Sequence, residues 1–418
     1  MIANAATRAV AADLERQSAH WVAAATTFLD AEEFASEAAW RSVEIYVGIP
    51  LRRHLKLIVE ELIDIGRATI AMTRAARRDA LALPEAMAAV QNLRRRYSQV
   101  ETTLDFFGDA VSSRTSPQLR AALQSLDALA TASMATVLAQ AGHAPIPVLT
   151  YVDKGMGASI LRADIRLWAP GSINPVAAIK IVRHNLYRPT SLFHEVGHQV
   201  AAVTGWVPAL QATLARALSG DPALRAMWTP WASEIAADVF AFVHTGFASV
   251  TALYDVVGDA RTILRWPIGD PHPVGWLRTL LGCAMCRGVY GSGPWDDLEE
   301  AVVTSFPLRR ADPTVRELLA RSRRRMPAIA ATCLRTSVPG LGGRPIGGAV
   351  DPARVSPVAL AELERTAGTA LWTSSHWRRL EGIRIVALAG LREAERPDEA
   401  SAWIARAREW MTAAPLAA

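Results

Sequence analysis

Lysine is nearly missing from this chain. It occurs only at Lys56, Lys154 and Lys180 of 418 residues, so the formal net charge of +5 rests on arginine. Scarce lysine beside abundant alanine and arginine points to a GC-rich, bacterial genome and carries no information about binding. Cysteine is also scarce: Cys283, Cys286 and Cys333 are an odd number in a long chain. That excludes a disulfide framework and fits reduced thiols in a cytoplasm. One C-x-x-C pair with a single further cysteine does not complete a four-cysteine zinc site, so the three are read as buried thiols. No run of eighteen apolar residues is free of charge, which argues against a membrane-spanning helix. The first residues carry acids and no long apolar run, which argues against a secretory signal. A cytoplasmic location is expected. The basic runs Arg94–Arg96 and Arg323–Arg325 have interspersed acids and no aromatic ladder. They read as solvated helix faces, and no nucleic-acid partner is expected. The glycine-rich stretch Gly340–Gly348 lacks the G-K-[ST] ending of a phosphate loop and reads as a linker or flap.

What remains is a chain that is 51% hydrophobic, enough for a sizeable core without disulfides. Its texture changes twice. Residues 1–143 read as a helical bundle, with Leu51, His54, Leu55, Ile58, Leu62 and Ile65 on one stripe. Residues 144–337 mix short β-favouring runs (Pro147–Val152, Ile160–Trp168, Val176–Val182) with helical pattern that returns at Thr190. Residues 338–418 begin with a Gly/Pro-rich linker and end in a helical tail. The fold class expected is α+β and mostly helical, with the chemistry in the central unit.

That chemistry starts at Ser191-Leu-Phe-His-Glu-Val-Gly-His, which contains H-E-x-x-H. Residues four apart lie on one helix face, with Cβ atoms about 5–6 Å apart. His194 and His198 can therefore reach one zinc ion, and Glu195 can reach a metal-bound water without ligating the metal. Thr190 or Ser191 is the expected N-cap, and Gly205 the expected end. The composition of the chain predicts only about 0.01 chance occurrences of this pattern. A catalytic zinc usually has three protein ligands and a water, so a third is needed. Downstream, Thr229-Pro-Trp-Ala-Ser-Glu-Ile-Ala-Ala-Asp reads as a capped helix carrying Glu234 and Asp238 four apart. Two carboxylates at that spacing repel each other on a bare helix. A cation reverses the sign if Glu234 ligates it and Asp238 holds the far nitrogen of a liganding histidine.

H-E-x-x-H followed by E-x-x-x-D resembles the gluzincin group of zinc metallopeptidases over residues 190–242. The resemblance implies a zincin-like catalytic unit with a small sheet upstream of the histidine helix and an edge strand for an extended substrate. It also implies an inserted helix near Val207–Leu218, because the gap between His198 and Glu234 is long. The later stretch Gly269-Asp-Pro-His-Pro-Val-Gly-Trp-Leu-Arg278 is similar, locally, to the H-P-x-x-x-x-R of the CAAX prenyl protease group. By that likeness His272 would donate to the oxyanion and Arg278 would support the site. The bland reading, a loop histidine and an ion-paired arginine, stands beside it. The expected activity is zinc-dependent peptide hydrolysis with Glu195 as general base, on a peptide or protein substrate. The same ligands would also serve an iron- or zinc-dependent peptide-modifying enzyme, or a module with a structural metal. Oligomeric state is left open.

Overall fold

The computed structural model describes residues 4–155, 157–161, 175–267 and 271–413. They form two compact units. One takes in the described residues of Met1–Ser116 and Ala163–Ala178, the other those of Pro117–Arg162 and Ile179–Ala418.

In the first unit, α1 (Ala5–Thr27), α2 (Glu37–Val47), α3 (Leu51–Ala76) and α4 (Leu83–Ser112) pack on one another. The stripe read on α3 faces inward: Leu51, Leu55, Ile58 and Leu62 are buried. Asn4 and Ser36 cap α1 and α2 with their side-chain oxygens, satisfying N–H groups that a helix start leaves open. Among its described residues no metal-binding cluster is found.

The second unit begins with α5 (Pro117–Leu138), which the texture of the sequence groups with the helical front and which here packs on β1 (Val148–Asp153). Among the described residues, Pro117–Ala141 is the helix long and apolar enough to cross a membrane by length and composition, and 61% of its apolar window is buried inside the protein. Its mid-helix carboxylate is bound: Asp127 Oδ1 accepts from the Thr150 backbone N–H at 2.7 Å and from the Thr150 hydroxyl at 2.8 Å. β1, β2 (Ser159–Leu161) and β3 (Ala177–Val182) form one sheet in the order β1–β3–β2. The strand read over Ile160–Trp168 is therefore present at Ser159–Leu161, and the rest of that range lies outside the described residues. The protein is α+β and mostly helical.

From β3 the chain enters α6 (Thr190–Val203), α7 (Trp206–Ala217), α8 (Pro222–Trp228), α9 (Ala232–Thr245), α10 (Phe247–Val257) and α11 (Gly275–Tyr290). Then follow α12 (Pro294–Ser305), α13 (Pro313–Arg335), α14 (Pro357–Ala367), α15 (Ala370–Thr373), α16 (Ser375–Glu395) and α17 (Ala400–Thr412). Two expected caps differ. Thr190 is the first residue of α6 rather than its cap, and its hydroxyl makes no hydrogen bond among the described residues. Thr229 and Pro230 lie in a 3-10 turn that runs straight into α9, so Glu234 sits in the first turn of that helix. Gly205 does end α6: it adopts φ +67°, the left-handed conformation in which a β-carbon is disfavoured. The Gly/Pro-rich stretch after α13 is packed, with Val338, Leu341 and Ile346 buried and the Gly340 N–H donating to the Thr204 carbonyl at 2.9 Å. That makes it an anchored segment rather than a loose linker or flap.

Helix α9 is buried over nearly its whole length, which explains a run as apolar as Val239-Phe-Ala-Phe-Val243. Its one basic side chain, His244, lies between the rings of Phe193 and Phe240, with Nδ1–H donating to the Phe240 carbonyl at 2.9 Å. Burial pushes this imidazole down to about 4, against the opposing pull of that carbonyl. The ordinary value, retained on unfolding, is 6.5. The unfolded chain thus binds the proton more readily, so stability is lost as pH falls from 6.5 towards 4. The loss is about 3 kcal/mol for a difference of this size. Urea unfolding at pH 7.5 and pH 4.5 is expected to show a smaller acid loss for His244→Phe, by roughly 2–3 kcal/mol. Equal losses in the two proteins would remove His244 as the cause.

Candidate metal centre

The histidine helix and the glutamate helix meet at a glycine. A β-carbon on Gly197 would lie 2.8 Å from Ala237 Cα, 2.9 Å from Phe240 Cβ and 3.1 Å from the Ala237 carbonyl oxygen. Only glycine lets α6 and α9 approach this closely. That approach carries Glu234, 36 residues beyond His198 by the numbering, to both imidazoles.

The three side chains converge on one point. His194 Nε2 and His198 Nε2 are 3.2 Å apart, with the two rings nearly perpendicular at 86°. Glu234 Oε2 lies 3.4 Å from His194 Nε2, and Glu234 Oε1 lies 3.4 Å from His198 Nε2. A tetrahedral ion with bonds of roughly 2.0–2.1 Å needs ligand atoms about 3.3–3.4 Å apart. The spacing therefore fits a metal, and these three residues could hold one.

The outer nitrogens decide what the inner ones present. Asp238 Oδ1 is 2.8 Å from His194 Nδ1, so that nitrogen carries the proton and donates it to the carboxylate. Arg278 Nη2 also lies 3.4 Å from His194 Nδ1, but a guanidinium has only donors, so that approach is not a hydrogen bond. His198 Nδ1 lies 3.3 Å from the Ser233 hydroxyl, which can accept its proton. With its outer nitrogen protonated, each imidazole can turn a lone pair on Nε2 to a metal, and Glu234 adds a carboxylate facing both rings. A metal competes there with a proton on His194, which Asp238 and Glu234 favour.

Charge around the cluster is tightly arranged. Arg278 on α11 holds Asp238 through two bonds, Nε to Oδ2 at 2.6 Å and Nη2 to Oδ1 at 2.8 Å, and Nη2 lies 3.3 Å from Glu234 Oε2. Burial by itself would raise both acids. It is outweighed by the Arg278 charge and the His194 hydrogen bond, so Asp238 sits far below the usual carboxylate range. Glu234 is brought down to about 2 by the same partners, led by His194. The two imidazoles divide. Burial lowers both, but the hydrogen bonds to Asp238 and Glu234 lift His194 above its ordinary value, whereas His198 stays depressed by burial and by its neighbour. Glu195 is buried and raised by desolvation, against the nearby positive charge of His194.

A cavity of about 580 Å³ opens beside this cluster. Glu195, His194, Asp238, Arg278 and His272 all line it. His272 is half exposed, with Nε2 3.5 Å from Glu234 Oε2. Comparison of the chain with protein-family models, with curated proteins and with solved structures finds no match. The site must be read from its own geometry.

The structure therefore brings His194, Glu195, His198, Glu234, Asp238, His272 and Arg278 together. Tyr290 donates its hydroxyl to the Pro352 carbonyl at 3.0 Å, and neither it nor Tyr254 lines the cavity. Cys283, Cys286 and Cys333 are free and buried, and burial drives their thiols upward, away from the reactive thiolate. Sequence reasoning missed Gly197 and Ser233. Both were visible as letters inside the two motifs, but neither helix contact nor ring orientation is encoded by spacing along one helix.

Proposed function

We propose that this chain is a zinc-dependent hydrolase that cleaves peptide bonds. The observation that carries the reading is the convergence of two imidazole Nε2 atoms and one carboxylate at tetrahedral spacing, beside a cavity that also holds a buried glutamate. A zinc ion held by His194, His198 and Glu234 would supply a polarised water at neutral pH and a Lewis acid for the substrate carbonyl.

The protein's own groups have separable tasks. Glu195 accepts the proton of the attacking water and delivers it to the departing amine nitrogen. Its raised affinity for a proton suits a group that must both take and return one. Asp238 fixes the His194 ring with Nδ1 protonated, and Arg278 fixes Asp238. His272 stands at the cavity wall, where its ring N–H can donate to oxygen on which negative charge develops. β2 lies at the edge of the described sheet, and Gly157 and Ala158 just before it line the cavity. An extended peptide can pair with such an edge.

Elemental analysis of the purified protein tests the metal, and a peptide library tests the reaction. The expected result is about one zinc per chain, hydrolysis abolished by a chelator, and activity restored by zinc alone. Iron with an oxygen requirement would replace this reading by oxidative peptide modification on the same ligands. A bound metal with no hydrolysis of any peptide would make the metal structural.

A further inference from the structure

The cavity is also lined by residues outside the metal cluster, and that wall is of another character. Val250, Leu253 and Val257 of α10, Met285 of α11 and Trp266 of the segment between them make that wall apolar. One cation, Arg265, lies among them. The other guanidinium of the cavity, Arg278, is committed to Asp238 and Glu234. The guanidinium of Arg265 has no hydrogen bond, ion pair or ring contact among the described residues.

The side chain of Arg265 is exposed, while the backbone that carries it is held by its neighbours. Ile263 is 1% exposed, and its carbonyl accepts from the Trp276 N–H at 2.9 Å at the start of α11. Trp266 packs on Trp231, with ring centroids 6.0 Å apart. The Arg265 N–H donates to the Thr262 carbonyl at 2.8 Å. The segment is thus pinned on both sides of Arg265, which reduces the cost of ordering it on a ligand.

We propose that this cavity receives the C-terminal residue of a peptide, with its apolar side chain against α10 and α11 and its terminal carboxylate on Arg265. The protein is then a carboxyl-terminal exopeptidase. This rests on the hydrolase reading above and narrows it to a substrate class. The reaction adds one water across the last peptide bond: oxygen bonds to the carbonyl carbon, the C–N bond breaks, and the leaving amine gains a proton. A planar guanidinium matches a carboxylate with two parallel N–H···O bonds, and such charge-assisted pairs are stronger than neutral ones. A cavity of about 580 Å³ is of small-molecule size, suited to a chain end.

The test separates the pocket from the chemistry. Calorimetry on the full-length protein as purified would compare 3-phenylpropanoate with 3-phenylpropanamide, an acid and its neutral twin on one apolar body. The acid is expected to bind about tenfold more tightly. In Arg265→Ala the difference should shrink below about twofold, and Arg265→Lys should keep part of it. Acid and amide binding alike, or a difference that survives Arg265→Ala because the carboxylate sits on the metal, would overturn the proposal. Peptides with free and with amidated C-termini form the second arm. Loss of the last residue from the free peptides alone supports it. Equal cleavage of amidated peptides ending in aspartate or glutamate overturns it in favour of an acidic side chain. A difference that follows Arg265 with no peptide cleaved overturns the hydrolase reading and the exopeptidase assignment with it, and leaves the carboxylate pocket standing.

Discussion

Replacing Glu195 by glutamine is expected to leave zinc near one per chain while lowering peptide hydrolysis by at least about a hundredfold. The reason lies in what the substitution retains. Glutamine keeps the volume of the buried side chain, and the three atoms that could hold the metal belong to His194, His198 and Glu234. It removes, among the described residues, the carboxylate of the cavity wall that is left to take a proton and return it: Asp238 is bound twice by Arg278, and Glu234 faces the two imidazoles. Glu195 has the further property that burial raises it, against the pull of His194, towards the range where proton transfer in both directions is efficient. The measurement is kcat/KM on a peptide found by library screening, alongside metal content. Unchanged turnover with full zinc would remove Glu195 as the general base and turn attention to a water delivered by other means.

The Gly197→Ala protein is expected to lose zinc affinity by at least about tenfold and to melt several degrees lower. Helix propensity by itself predicts the opposite sign, because alanine in a helix interior is favoured over glycine by about 0.5–1 kcal/mol. The deciding contact is between backbones. A methyl at Gly197 would sit 2.8 Å from Ala237 Cα and 3.1 Å from the Ala237 carbonyl, and backbone cannot rotate away. Overpacking of this kind typically costs about 1–3 kcal/mol, more than the propensity gain. Relief requires α9 to move away from α6. Glu234 sits about one helical turn before Ala237, so the same displacement lengthens the 3.4 Å separations on which the cluster depends. Competition with a metal-binding dye and a thermal melt followed by circular dichroism check both effects. A protein that melts higher and holds zinc as tightly would show that the interface has slack that the present distances deny.

Much of the site was legible as letters. His194 and His198 share a face because the helical period places residues four apart together, and the same period pairs Glu234 with Asp238. Asp238 next to a ligand histidine follows from charge: two acids one turn apart call for a cation. Val207–Leu218 was read as helix, and α7 spans Trp206–Ala217. Other elements were not legible. The grouping of α5 with the helical front followed its texture, whereas Asp127 bonded to Thr150 ties it to β1. The expected caps at Thr190 and Thr229 missed because the chain enters α6 directly from Pro189 and enters α9 through a 3-10 turn. Arg265 carried no signal, since nothing in a run of letters says which wall a side chain faces.

The sequence by itself determined the helical character of most of the chain and the two motif pairs, because periodicity acts within a single element and needs no partner. Tertiary structure alone decided that the two pairs meet, that Arg278 holds Asp238, that Ser233 orients His198, and that Arg265 shares a cavity with Glu195. Those relations depend on how closely two helices approach and on which side chains burial brings within a few ångströms. Separation along the chain contains neither.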